Sequence, residues 1–311
     1  MSEVIRVSHL SKKFGEIKAV DDLTFSVESG KVYGFLGQNG AGKSTTIRML
    51  LTLIQPTSGF IEMFGLDLKK HRKEILKQTG AIIERPDLYK YLTALENMRI
   101  FALMSGIKIP EQKIKEQLAL VGLADRAHSK VKTFSQGMKQ RLGIAIATVH
   151  DPSLLILDEP TNGLDPQGIA DIRKLILHFS KDLKKTLLIS SHILSEVEMI
   201  ADSMLIIDKG RKLVEGKVNE LFDPSETVVE LKTLNDELAY SKLQASHLSK
   251  FILERRNDCI LLKLHRDQVP SILNETIQLN LNVTSFYSKH SLEEYFLSLT
   301  NSRQNVEAIK N

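Results

Sequence analysis

Thiol chemistry is almost absent from this chain of 311 residues, which holds one cysteine, Cys259. A lone cysteine forms no internal disulfide and brings no second sulfur to a zinc cluster, so Cys259 is expected as a reduced, intracellular residue of an apolar strand. The nine histidines show no spacing typical of a metal site. Nowhere do about 18 apolar residues run uninterrupted, the least that a membrane-crossing helix needs. The stretch from Met1 to Leu10 has no apolar signal core either. The chain is therefore expected to have no transmembrane segment of its own and to work in the cytosol or on the cytosolic face of a membrane. Charge of one sign is also lacking, with 42 basic residues against 38 acidic ones and a net charge of +4. A nucleic-acid surface calls for a clustered basic stripe, so no nucleic-acid partner is expected. Internal repeats, low-complexity segments and heptad runs are missing as well.

What is present reads as an ordinary globular protein, 42% hydrophobic and 26% charged, long enough for one large domain and a smaller companion. Over residues 1–30 apolar and polar positions alternate (Ile5, Val7, Leu23, Phe25, Val27), which predicts half-buried antiparallel strands. Lys31 to Leu36 is a short apolar run that ends in a glycine-rich loop. Beyond it Ile47, Leu50, Leu51 and Ile54 share a helical face that Gln55-Pro56 should stop. Residues from about 85 to 150 read as helical. Apolar strands return at Leu154–Leu157, Leu187–Ile189 and Met204–Ile207, separated by helix-like stretches, a pattern that implies an α/β fold with a mainly parallel sheet. After Leu221 the character changes. Asp223-Pro224-Ser225 reads as a linker, followed by strands at Thr227–Leu231 and Cys259–Leu264, a helix near Val269–Leu279, and a capping box at Ser291-Leu292-Glu293-Glu294. The expected domains are 1–222, a small α+β companion at 223–301, and a polar tail at 302–311.

Gly37-Gln38-Asn39-Gly40-Ala41-Gly42-Lys43-Ser44 matches the P-loop pattern and sits between a buried strand and a helix, as that motif requires. The glycines let the backbone bend so that several N–H groups converge on phosphate oxygens. A helix opening near Ser44-Thr45 adds its partly positive end. Lys43 would reach the β- and γ-phosphates of ATP, and the Ser44 hydroxyl would bind Mg²⁺.

The run Leu154-Leu155-Ile156-Leu157 ends abruptly in Asp158-Glu159. A buried strand that delivers a carboxylate beside a P-loop suits Asp158 to Mg²⁺. Glu159 points elsewhere and would orient or deprotonate an attacking water, although read alone it serves equally well as a cap of the turn at Pro160. Ser190-Ser191-His192 follows the next apolar strand, and the carboxyl edge of a parallel sheet is where ligands bind. His192 would contact the γ-phosphate or hold the water.

Together these motifs resemble the nucleotide-binding domain of ABC ATPases over residues 1 to about 220. The most discriminating segment is Phe134-Ser135-Gln136-Gly137-Met138-Lys139-Gln140-Arg141, which is similar to the ABC signature LSGGQ. The resemblance implies a P-loop NTPase fold: a parallel sheet core, an antiparallel β subdomain and a helical subdomain at about 85–150. It also implies that Ser135 and Gly137 face the ATP held by a second copy of the chain, in a dimer that sandwiches two nucleotides. The residues themselves fit, because Ser135 and Gly137 would open a helix with Met138, Leu142, Ala145, Ile146 and Val149 on its apolar face. Phe14 resembles the aromatic that stacks on adenine, Gly163-Leu164-Asp165 the loop that passes between the two nucleotide sites, and His192 the switch histidine.

Two segments depart from the family pattern. Gln136 and Met138 replace the usual Gly and Gln of the signature, and Glu84, in Ile82-Ile83-Glu84-Arg85-Pro86, stands where the family has a glutamine near Mg²⁺. A glutamate there still offers an oxygen to the metal but adds a charge. It resembles the exporter branch that protects bacteria against lantibiotics and bacitracin. The implied function is the ATPase subunit of an exporter, driving a separate transmembrane permease from the cytoplasmic side. Two other ABC roles are alternatives: a soluble ATPase acting on ribosomes or DNA, and a sensing complex. One ATPase domain, balanced charge and no coiled coil or cysteine cluster argue against the first. A P-loop kinase or GTPase would lack the signature segment.

Overall fold

The computed structural model describes residues 3–221, 226–256 and 258–289. The Asp223-Pro224-Ser225 linker, the Ser291–Glu294 capping box and the tail at 302–311 lie outside these described residues. The chain divides into two compact units, Met1–Val218 and Asn219–Asn311.

The first unit begins with strands β1 (Glu3–Phe14), β2 (Ile17–Glu28) and β3 (Val32–Leu36), helix α1 (Lys43–Leu50), β4 (Ser58–Met63), β5 (Leu66–Asp67), α2 (Arg72–Lys77) and β6 (Thr79–Ile82). It continues with α3 (Ala94–Met104), α4 (Glu111–Leu120), α5 (Gln136–Ala147), β7 (Leu154–Asp158), α6 (Pro166–Lys181), β8 (Thr186–Ser191), α7 (Leu194–Glu198), β9 (Ser203–Asp208) and β10 (Arg211–Lys217). One sheet has the order β2-β1-β4-β5 and is antiparallel. The other has the order β10-β9-β3-β8-β7-β6 and is parallel from β9 to β6, with β10 antiparallel at its edge.

The parallel sheet is buried on both faces, and the period-2 alternation of its strands divides their side chains between two cores. Leu155, Leu157, Leu187 and Ile189 enter one core with the helices α3, α4 and α5. Leu154, Ile156 and Leu188 enter the other with Val7, Leu23 and Phe25 of the antiparallel sheet. Each fully buried aliphatic side chain contributes about 1.5–3 kcal/mol, so neither face of these strands is free to slip register.

Local differences from the sequence reading have local causes. Helix α1 ends at Leu50 and not near Ile54, because Thr52 takes a left-handed φ of 58° and turns the chain back. The N–H groups of Leu53 and Ile54 then return to the Arg48 carbonyl at 2.9 and 3.4 Å. Ile54 still packs against the core, so the apolar pattern was real while its helical period ended early. In the 85–150 region helix starts only at Ala94, where Thr93 and Glu96 form a capping box. Two short 3₁₀ turns, Ala124–Arg126 and Val131–Thr133, separate α4 from α5.

In the second unit, strands Ile252–Arg256, Cys259–His265, Glu226–Thr233 and Val283–Lys289 form an antiparallel sheet in that order. Helices Asp236–Gln244 and Val269–Gln278 supply Ala239, Leu243 and Ile272 to a core that also holds Val229, Leu231, Ile260 and Leu262. Cys259 is buried at the start of its strand.

Candidate functional site

The site forms where parallel register places three strand ends side by side. Leu36 at the end of β3 pairs with Ser191 at the end of β8, and Asp158 at the end of β7 pairs with Ser190. This is the carboxyl edge of the sheet, which brings the loop after β3 against Asp158, Glu159 and His192.

Glycine is required in that loop for a backbone reason. Gly42 has φ 108°, and a Cβ there would lie 2.5 Å from the Ala19 carbonyl. The turn it makes delivers Lys43 as the first residue of α1, almost fully buried at 5% exposure. Its ammonium donates to the carbonyls of Gly37 at 2.6 Å and Gln38 at 3.2 Å, and stands 3.2 Å from Glu159 Oε1. Gln38, Asn39 and Gly40 are exposed at the loop's crest, Ala41 is buried behind them, and Ser44 and Thr45 are half-buried on the first turn of the helix.

Asp158 is completely buried. Ser190 Oγ donates to its Oδ1 and accepts from the Glu159 amide at 2.9 Å, so one hydroxyl orients both acids. The second oxygen, Oδ2, is buried with no hydrogen-bond partner. An anionic oxygen left bare in that position fits a hard cation, and a carboxylate with a serine hydroxyl is the donor chemistry Mg²⁺ prefers.

Glu159 takes a left-handed φ of 50°, a conformation that costs a non-glycine residue about 1 kcal/mol or more and that commonly marks functional sites. Its Oε2 lies 2.6 Å from His192 Nδ1 and its Oε1 faces Lys43, so the carboxylate bridges the two and does not cap the turn at Pro160. His192 itself is about one-third exposed, so its ring is open to an incoming ligand.

The remaining candidates lie on separate elements. Phe14, half exposed at the end of β1, carries the Lys12 ammonium 4.9 Å from its ring centroid. Ser135 is exposed and caps α5 by accepting from the Met138 amide at 3.2 Å. A Cβ on Gly137 would meet only Gly168 Cα, at 4.0 Å, so this helix start presents open backbone. Asp165 caps α6 by accepting from the Gly168 amide at 3.1 Å, with Pro166 at the first helical position. Glu84, at φ 57° and 62% exposed, makes its contact with Arg48 of α1, where Nη2 lies 2.6 Å from Oε1. Sequence reasoning overlooked Ser190 and Arg48. A polar residue ending a wholly apolar strand was the available signal for Ser190, and Arg48 gave none, since an arginine in the last turn of a helix is commonplace.

The sequence pattern of the ABC transporter family matches residues 20–162. A bacitracin transport ATP-binding protein of Bacillus licheniformis is 44% identical over 301 residues, which cover 96% of this chain and 98% of that protein. A lantibiotic transport ATP-binding protein of Streptococcus pyogenes is 41% identical over 239 residues, covering 77% of this chain and 99% of its own length. Among solved structures, an ATP-binding subunit of an ABC transporter superposes with TM-score 0.63 and 33% identity, over 70% of this chain and 91% of that one.

Proposed function

The chain belongs to the ABC transporter family as an ATP-binding, ATP-hydrolysing subunit of exporter type, and from this premise we propose the cycle that its residues perform and the partners they need. Two copies close on two ATP molecules, with Mg²⁺, and this closure drives a separate transmembrane permease. The observation that carries the reading is the cluster at the carboxyl edge of the sheet, in which Lys43, Asp158, Glu159 and His192 converge.

In this proposal Lys43 gives up Glu159 for the β- and γ-phosphates, and the loop amides up to Thr45 that no carbonyl already takes, those of Gly37 and Ala41 being bonded to Ser191 and Gln38, cradle the rest of the triphosphate with the N-terminus of α1. Ser44 and the bare Oδ2 of Asp158 would hold Mg²⁺, which would neutralise charge developing on the phosphate oxygens. His192 keeps its bond to Glu159 Oε2, which fixes the carboxylate while the freed Oε1 accepts a proton from water. The water oxygen bonds to the γ-phosphorus, the bond to the β-phosphate oxygen breaks, and ADP and phosphate result. Phe14 stacks on adenine. The open start of α5, with exposed Ser135 and half-buried Gly137, supplies phosphate contacts to the partner copy's nucleotide, and Asp165 lies at the junction.

Because ATP binds the closed dimer better than the open one, binding performs the mechanical step and hydrolysis resets it. Among the described residues no helix is long and apolar enough to cross a membrane, which supports a permease on another chain. The work is then done at the cytoplasmic face of the membrane, and the similarity to bacitracin and lantibiotic transport proteins supports a peptide-antibiotic cargo. The lantibiotic relative is matched over 99% of its length by 77% of this chain, so the second unit is proposed to be accessory to the ATPase cycle.

The test is a pull-down from detergent-solubilised membranes with tagged Glu159→Gln protein, ATP and Mg²⁺. Recovery of a stoichiometric multi-span protein that is lost with Lys43→Ala establishes the permease. Recovery of ribosomes, or of nothing from the membrane fraction, overturns it.

A further inference from the structure

Glu84 poses an electrostatic problem. A nucleotide site that already holds the carboxylates of Asp158 and Glu159 has to accept a triphosphate, and a third acid in the loop after β6 adds to the repulsion. The loop does not tuck this acid away, because its side chain is 62% exposed and its backbone is held at a left-handed φ of 57°. What meets it is Arg48, five residues after Lys43 on the same helix, with Nη2 at 2.6 Å from Oε1. By the rise of an α-helix the Arg48 backbone stands about 7–8 Å along the axis from that of the phosphate-binding lysine, a separation comparable to the Debye length at physiological salt.

We propose that Arg48 is a positioning residue of the nucleotide site: it holds the Glu84 carboxylate on the P-loop helix and cancels its charge, so that a glutamate stands in this loop without repelling the metal-bound nucleotide. The inference rests on the reading of Lys43 and its loop as the phosphate site. An exposed ion pair adds little to folding, so its value lies in the field it removes from the nucleotide. The helix supplies a second reason for an arginine here, since a cation in the last turn of α1 suits the helix dipole. That role would persist whatever residue stood at position 84, and the two roles therefore separate experimentally.

The experiment is a double-mutant cycle on the full chain, read as the affinity for fluorescent mant-ADP with and without Mg²⁺. ADP is used because it is not turned over. Arg48→Met should weaken mant-ADP binding about three- to tenfold at low salt, the effect of one uncompensated charge at this range in a dielectric between protein surface and water. The loss should shrink at 0.5 M salt. Glu84→Gln in the same chain should restore affinity to within about twofold of the parent. Three results each overturn the proposal: unchanged affinity in Arg48→Met, an Arg48→Met/Glu84→Gln chain as weak as the single variant, or a loss that salt does not diminish. Lys43→Ala is measured alongside. If it binds mant-ADP normally, the P-loop reading itself fails, an outcome distinct from a failure of Arg48 alone. Exchanging the charges, Arg48→Glu with Glu84→Arg, should keep near-parental affinity and guards against a packing defect at either position.

Discussion

Glutamine in place of Glu159 changes two properties that are usually treated as one. The variant loses its base, and turnover should fall by at least about 10²-fold, the contribution typical of a positioned proton acceptor. It also loses an internal competitor for the phosphate. Lys43 and Glu159 lie 3.2 Å apart with side chains only 5% and 14% exposed. At an effective dielectric of 20 two such charges attract by about 5 kcal/mol, most of which is offset by their desolvation. Lys43 keeps two carbonyl acceptors when the acid is gone, which limits its own loss. A net contribution of about 1–2 kcal/mol to the nucleotide-free state is reasonable, and nucleotide has to replace it on binding. Removing the competitor should therefore tighten ADP binding about five- to thirtyfold. Calorimetric titration of the monomer with ADP isolates this effect, because neither hydrolysis nor ATP-driven dimer closure takes part. Thermal melts of the nucleotide-free variant should show the complementary loss of stability. An ADP affinity equal to or weaker than that of the parent would refute the competition argument. Unchanged ATP turnover would remove Glu159 from the role of base.

Lys43→Ala should abolish tight ATP binding, since the triphosphate loses its main cationic partner; nucleotide affinity close to that of the parent would contradict the P-loop assignment. Ser190→Ala removes the hydroxyl that orients both Asp158 and the Glu159 amide. It should reduce the Mg²⁺-dependent part of nucleotide affinity about tenfold while leaving the Mg²⁺-free part intact, a split that titrations with and without EDTA will read. Tyr33→Phe deletes the 2.7 Å bond from a buried phenol to Glu215. Hydrogen bonds to charged acceptors contribute about 1.5–3 kcal/mol, so denaturant unfolding should show a loss of that size with ATPase activity unchanged per folded molecule. Burial and the Glu215 carboxylate both hold the Tyr33 phenol well above its ordinary pKa, so it stays neutral and this loss should not vary between pH 6 and 9.

Much of the site could be read from the chain because its chemistry is written in contiguous residues. Gly42-Lys43-Ser44 sits in sequence where it sits in space, and Leu154 to Leu157 alternate between two cores whatever lies beyond them. The helix starts were less legible. Thr93 and Glu96 carry a capping box that a broad helical reading of 85–150 passed over. Strands Ile252–Arg256 and Val283–Lys289 lacked an apolar run clear enough to mark them, since edge strands of an antiparallel sheet bury only part of one face.

Local sequence thus determined the loop that can bind phosphate, the buried strands and the acids at their ends, since backbone conformation and apolar periodicity act over a few residues. Tertiary structure decided which of these groups meet. The register of β7 on β8 sets Asp158 beside Ser190, and the same edge joins Glu159 to both Lys43 and His192. Helix α1 carries Arg48 to Glu84, 36 residues away along the chain. No periodicity encodes such pairs, because each partner is chosen by the packing of whole strands and helices against two cores, and the ion pairs form only after that packing has fixed where their backbones stand.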